Sequence, residues 1–600
     1  MVPPLSPEHP RPQLQRAGWS NLDGAWEFAF DREGMLSRPE QVAFDRVIRV
    51  PFAPETPLSG IADEAFTLAV WYRRVFDAPD LADGERLMLR FGAVDDEASI
   101  WVDGAFAGSH RGGYTPFGFD ITDLLAGSGP HEIVVRAGDD PHDLAKPRGK
   151  QDWKREPHAI WYPRTTGIWQ TVWLERVPRN HIESLRWTAN TERWEIELEA
   201  AIGGPRRDDL ALDVLLTTGE GAERRVLAHD RYAVIAREVH RRIAFPDPGI
   251  DNARSDLLWS PNSPRLIDAA VRLIDAGGAA VDEVASYTAM RSVGILGDRF
   301  MLNGRPIYLR LALDQGYWPD GGLTAPSVDA LRRDVELAKE MGLNGVRKHQ
   351  KIEDPRYLYW ADRLGLLVWE EMPSAYRFSR NAMERVSAEW TRAVLRDMSH
   401  PCVVTWVPIN ESWGVPELPK SAEQQAYIQG LYHLTRALDP SRPVVGNDGW
   451  EIAESDIVCL HDYHPDPEKL TERYGDIAHM NEVFARERPL GRVLLLDGHP
   501  YRGQPVLLSE FGGIAYTPPS EQSQTWGYSR AGSSEGFLEA FSAMLAAVRG
   551  CGMLAGYCYT QFTDTYQEAN GILAADRTPK APLAEIARAF IGAGPDRNCL

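Results

Sequence analysis

The chain opens with short apolar runs set between turn residues. Trp71-Tyr72-Arg73-Arg74-Val75-Phe76, Leu87-Met88-Leu89-Arg90-Phe91, Ala98-Ser99-Ile100-Trp101-Val102 and Glu132-Ile133-Val134-Val135-Arg136 are rich in β-branched and aromatic residues. Asp103-Gly104 is a turn signal between such runs. No helical period intervenes, so residues 1–178 are predicted to form a sandwich or jelly roll. Across 179–291, Trp194-Glu-Ile-Glu-Leu-Glu199 and Leu210-Ala-Leu-Asp-Val-Leu215 alternate apolar with polar side chains, as half-buried strands do. They predict a second, smaller sandwich.

From 292 to 600 the pattern changes. Leu331, Val335, Leu337, Ala338 and Met341 recur at helical spacing, and Gly342 is a candidate C-cap. The strand Gly345-Val-Arg347 follows, then a helix from about Pro355 to Leu364 and the strand Leu366-Leu-Val-Trp369. Val403-Val-Thr-Trp-Val407, the helix Gln425–Leu438, and strands at Val444-Val445, Ile457-Val458 and Val506-Leu-Leu508 continue the alternation. Repeated βα units of this kind predict a (β/α)8 TIM barrel, whose active site sits where strands end.

Composition narrows the function. The 600 residues exceed one core. With 65 Lys+Arg against 86 Asp+Glu the net charge is −21, and no basic run relieves it, so nucleic acid is not an expected partner. No apolar stretch is long enough for a membrane span, and the Pro-rich start Met1–Gln13 lacks a signal-like apolar region. Five cysteines (402, 459, 551, 558, 599) form no CxxC and cannot all pair, which fits a reducing, cytoplasmic setting. The 19 Trp and 20 Tyr suit both core packing and the stacking of sugar rings.

Two predicted strands run into glutamates. Val403–Ile409 leads to Asn410-Glu411, and Val506–Ser509 leads to Glu510-Phe511-Gly512-Gly513. Each carboxylate enters the loop at the catalytic face of a barrel. Paired carboxylates suit glycoside hydrolysis, in which one attacks the anomeric carbon while the other protonates the leaving oxygen and later deprotonates water. Retention of configuration asks for a separation of about 5–5.5 Å. A second Asn-Glu, Asn481-Glu482, lies in a polar helical stretch and reads as surface.

Three competing readings are weaker. Gly532-Ser-Ser534-Glu-Gly536 matches the serine-hydrolase pattern but lacks the buried strand that such an elbow needs. His461-Asp-Tyr-His464 matches no zinc spacing. A non-catalytic carbohydrate-binding protein would be expected to have lost a carboxylate, and both are present.

These segments resemble glycoside hydrolase family 2, the β-galactosidase/β-glucuronidase/β-mannosidase group, along nearly the whole chain. The matching stretches are Arg164-Thr-Thr-Gly-Ile-Trp-Gln-Thr-Val-Trp-Leu174, Phe300-Met-Leu-Asn-Gly-Arg-Pro-Ile-Tyr-Leu-Arg310, Met341-Gly-Leu-Asn-Gly-Val-Arg347, His400-Pro401 with Trp406 and Asn410-Glu411-Ser-Trp-Gly414, and Leu508-Ser-Glu510-Phe-Gly-Gly513. The resemblance implies a jelly-roll sugar-binding domain, an immunoglobulin-like domain and a catalytic barrel. It implies a retaining exo-β-glycosidase acting on a carbohydrate, with Glu411 as acid/base and Glu510 as nucleophile. Asn410 would bond the sugar 2-hydroxyl, Arg347 would hold the nucleophile ionised, and Tyr463 would bond it, core packing being the competing reading for Tyr463. His349 falls where a substrate-contacting histidine lies in β-galactosidases, and an ordinary loop histidine is the alternative. Homo-oligomers are common in the family.

The departures point to a rebuilt sugar pocket. Trp161 stands six residues before Gly167, where relatives carry a sugar-binding aspartate, and Asp152 upstream is a candidate substitute. Tyr559 replaces a usual tryptophan on the last strand, and the glucuronidase Asn-x-Lys element is missing after Asn570-Gly571. Pro373 takes the histidine position of a magnesium-binding Glu-x-His pair, so neither metal nor other cofactor is expected. A furanoside such as a galactofuranoside or arabinoside is the alternative substrate.

Overall fold

The computed structural model describes residues 5–247, 249, 254–485, 489–517 and 525–592. Two antiparallel sheets face each other in the first sandwich. One runs Trp19–Asn21, Val172–Pro178, Glu85–Phe91, Phe117–Asp120, and the other Arg46–Val50, Gly24–Asp31, Ala69–Asp77, Pro130–Gly138, Glu97–Val102, Ala105–Arg111. Alternate residues such as Trp26, Phe28, Tyr72, Leu87, Leu89 and Val135 fill the space between them. The second sandwich pairs three strands (His181–Asn190, Glu195–Gly203, Glu238–Ala244) with four (Arg225–Ala233, Ala211–Thr218, Ile267–Ile274, Ala280–Thr288), an immunoglobulin-like division. Ile196, Leu198 and Ala200 point inward while Glu195, Glu197 and Glu199 do not. The alternation in the sequence is the cause.

The barrel strands are β1 (Leu309–Asp314), β2 (Gly345–Lys348), β3 (Leu367–Glu371), β4 (Val403–Val407), β5 (Val458–Asp462), β6 (Val506–Gly512) and β7 (Leu554–Thr560). They form one parallel sheet in the order β4-β3-β2-β1-β7-β6-β5. Every residue of these strands is buried, because helices cover one side and the packed barrel interior fills the other. Between β4 and β5 the expected strand at Val444-Val445 is reduced to single bridges, Trp406 with Val444 and Asn410 with Asp448. Pro443 lacks a ladder N–H, and Gly446 admits the close approach of the Glu454 carbonyl, which a Cβ would meet at 2.0 Å.

The helices follow local signals. Helix α1 (Val328–Glu340) is capped by Ser327, whose side chain accepts from Ala330 N, and α2 (Pro355–Leu364) starts with Asp354 and Pro355 and stops at Gly365, φ 77°. Helix α3 (Arg380–Asp397) docks the first sandwich onto the barrel. Its Arg385 pairs with Asp96 and Asp143, and its buried Glu389 accepts from Tyr114 N and Thr115 Oγ1, each at 2.9 Å. Loops of the first sandwich thereby reach the barrel mouth. No helix among the described residues is long and apolar enough to cross a membrane. Cys402, Cys459, Cys551 and Cys558 are buried free thiols, and Cys599 lies outside the described residues.

Candidate active site

Strand ends bring the chemistry together. Arg347 on β2 is fully buried and reaches four side-chain acceptors: Glu371 Oε2 at 2.6 Å, Asn410 Oδ1 at 2.8 Å, Glu510 Oε1 at 3.2 Å and Asp448 Oδ1 at 3.3 Å. Tyr463, one residue past β5, donates to Glu510 Oε2 at 2.5 Å and stacks on Tyr528 with ring centroids 3.5 Å apart. Glu510 is therefore held on one oxygen by a cation and on the other by a phenol.

Glu411 is presented differently. It follows β4 in a left-handed turn, with φ 52° at Glu411 and 56° at Ser412. Two such residues cost about 1–3 kcal/mol each and persist only where surroundings fix them. Here Glu411 N donates to Asp448 O at 2.9 Å, Ser412 N to Asn447 Oδ1 at 3.1 Å, and Ser412 Oγ to Glu451 Oε2 at 2.6 Å. The Glu411 side chain is 14 % exposed. A carboxylate oxygen of Glu411, one of Glu510 and a ring nitrogen of His461 all lie within 4.8 Å of one another. The two carboxylates therefore open on one small space, as a pair acting on a single glycosidic bond must.

His461 ties the carboxylates together. Its Nδ1 is 2.7 Å from Glu411 Oε1, and its Nε2 is 2.7 Å from Asp448 Oδ1 and 3.4 Å from Glu510 Oε1. Burial opposes a charge on the ring, but the carboxylates of Glu510, Asp448 and Glu411 outweigh it and raise the imidazole to about 10. Burial likewise works against Asp448, yet Arg347, His461 and Ser509 hold it below the usual carboxylate range. Burial raises Glu371 to about 7 against the pull of Arg347. A protonated His461 with both nitrogens facing carboxylates is a poor metal ligand.

The remaining expected residues divide. His349 is buried with Nδ1 3.0 Å from Glu371 Oε1, and burial followed by the nearby Lys150 charge keeps its pKa well below the ordinary value. Trp161 stands in an aromatic wall beside Glu411: its Nε1 donates to Tyr376 Oη at 3.0 Å and its ring meets Trp413 at 5.6 Å. Asp152 does not face the site. It is fully buried, and its oxygens accept from Lys154 N and from the backbone and ring of His158, which closes its own loop. Tyr559 is also misplaced as a substrate contact. Period-2 alternation turns it away from the barrel interior against Phe511 and Phe541, while Thr560, the next residue, sits 3.2 Å from Tyr463 Oη.

Other sequence readings resolve as well. Asn481 and Glu482 are exposed on the helix Ile477–Ala485. Ser534 opens the helix Ser534–Gly550 and donates to Lys580 O at 2.6 Å, so it is part of a helix terminus. Sequence reasoning missed Asp448 and Glu371 and weighed His461 only as a metal ligand. His461 lies on β5 two residues before Tyr463, which follows the strand's end, so period-2 spacing brings both to the same side, a signal available from spacing alone.

Carboxylates this close on one barrel mouth are the equipment of a glycoside hydrolase. The chain belongs to glycosyl hydrolases family 2, whose TIM barrel domain matches residues 293–592 and whose sugar binding domain matches 54–139. It is 28% identical over 436 residues to a β-galactosidase of Thermoanaerobacter pseudethanolicus, covering 71% of this chain and 53% of that relative. It is 25% identical over 548 residues to a β-glucuronidase of Streptococcus agalactiae, covering 84% of each. In structure it resembles the Bifidobacterium dentium β-glucuronidase complexed with coumarin-3-O-glucuronide, with TM-score 0.76 and 20% identity over 97% of this chain and 98% of that one.

Proposed function

We propose that the protein is a retaining exo-β-glycosidase working by double displacement on a terminal sugar. Glu510 attacks the anomeric carbon, the glycosidic C–O bond breaks, and Glu411 gives its proton to the departing oxygen. Water then loses a proton to Glu411 and displaces Glu510 from the anomeric carbon, restoring both groups. The observation that carries this reading is the asymmetry of the pair. Glu510 is clasped by Arg347 and Tyr463 as an anion that attacks must be, whereas Glu411 sits more open beside the aromatic wall of Trp161, Tyr376 and Trp413. That wall suits a leaving group. In this reading Asn410, whose Oδ1 accepts from Arg347 at 2.8 Å, bonds the sugar 2-hydroxyl.

A panel of aryl β-glycosides, pyranosides and furanosides included, tests the reading. Glu510→Gln is expected to abolish turnover of every substrate. Glu411→Ala is expected to spare the first step for good leaving groups and to lose about 10²–10⁴-fold for poor ones. Equal loss on both kinds would contradict the role of Glu411.

A further inference from the structure

Lys150 belongs to the first sandwich, yet the loop that carries it is clamped to the barrel. Arg148 N and Gly149 N both donate to Ser374 O, at 3.0 and 3.2 Å, and Tyr376 Oη donates to Gly149 O at 2.7 Å. Gly149 has φ 56°, and a Cβ there would come within 2.3 Å of the Gln350 carbonyl, so only glycine admits this approach. On the other side, Tyr162 N donates to Lys150 O at 2.8 Å, and Tyr162 Oη donates to Glu568 Oε2 at 2.6 Å. Lys150 is thus fixed between the His349 loop and Glu568.

Lys150 is 7 % exposed as a residue, and its Nζ makes no hydrogen bond or ion pair among the described residues. Glu568 is 3 % exposed and is further held by Gln561 Nε2 at 3.1 Å. Lys150 acts electrostatically on both Glu568 and His349, and Glu510 acts on the same two groups. An amine that no protein oxygen engages is free to donate to a ligand oxygen.

Resting on the glycosidase reading above, we infer that Lys150 and Glu568 form a two-point clamp for hydroxyl groups of the terminal sugar and select a neutral sugar over a uronic acid. The amine donates to one hydroxyl oxygen, and the carboxylate accepts from another. Burial, with Glu510 behind it, raises the Glu568 carboxyl against the pull of Lys150, so this corner of the site resists added negative charge, and a sugar carboxylate would bring one.

The test compares wild-type kcat/KM on aryl β-glycosides of neutral sugars, on the matching aryl β-uronides, and on deoxy analogues that each lack one hydroxyl. The neutral sugar is expected to win over its uronide by at least about 100-fold, and one deoxy analogue to lose at least about 10-fold. The penalty should vanish in Lys150→Met where the missing hydroxyl is the one the amine holds, and in Glu568→Ala where it is the one the carboxylate holds, with Glu568→Ala also narrowing the neutral-to-uronide ratio. A preference for uronides in wild type, or deoxy penalties that survive both substitutions, would overturn the clamp alone. Failure of wild type to hydrolyse any member would instead overturn the glycosidase reading beneath it.

Discussion

His461 Nδ1 lies 2.7 Å from Glu411 Oε1 at the barrel mouth. The same ring faces Asp448 and Glu510 through Nε2, so one imidazolium sits among three carboxyl groups. Replacing His461 with Asn removes that charge, and kcat is expected to fall at least about 100-fold, the lower end for a group that assists proton transfer.

The same residue sets a pH dependence. Its folded value of about 10 exceeds the ordinary 6.5, so its contribution to stability is fully present below 6.5 and is lost as pH rises through about 10. Wild type is expected to lose more thermal stability between pH 7 and 10 than His461→Asn. Parallel melting curves across that window would refute the cationic ring.

Arg347 satisfies Glu371, Asn410, Asp448 and Glu510 with one planar fork. Lysine keeps the charge but cannot reach four acceptors in that geometry. Arg347→Lys is expected to fold and to lose kcat by at least about 100-fold. Arg347→Ala strands buried carboxylates and should cost about 3–5 kcal/mol in urea unfolding. A lysine variant with native kcat would show that the fork is not needed.

How much of this was legible follows from which forces act locally. Val403–Val407 and Pro355–Leu364 were readable to the residue because period, caps and punctuation agree there. The glutamates were readable because strands deliver them. Asp448 was not, since its segment pairs only through bridges and is held by tertiary bonds to Glu411 and Ser509. Tyr559 and Asp152 were misread for a related reason. A residue type at a matched position does not state which face it takes, and in these cases alternation and loop closure decided it.

Tyr463→Phe separates packing from chemistry. The ring stack on Tyr528 is retained, while the bond to Glu510 is lost. A fall in kcat of about 10–100-fold with little change in melting temperature is expected, as for one charge-assisted hydrogen bond. If stability drops and kcat does not, Tyr463 is a core residue, the competing reading of its sequence context.

Glu389 offers a test of the joint between sandwich and barrel. It lies on α3 with 1 % exposure, and burial raises its carboxyl to about 7 despite bonds from Tyr114 N and Thr115 Oγ1. A folded value above the ordinary 4.5 means that its stabilising effect is complete below 4.5 and is lost as pH climbs through 7. Full ionisation costs on the order of 3 kcal/mol. Glutamine keeps an acceptor oxygen for both donors and never ionises. Glu389→Gln is therefore expected to melt close to wild type at pH 5 and several degrees above it at pH 8.5, and a gap that stays constant between the two would show that this carboxyl does not titrate in the folded joint.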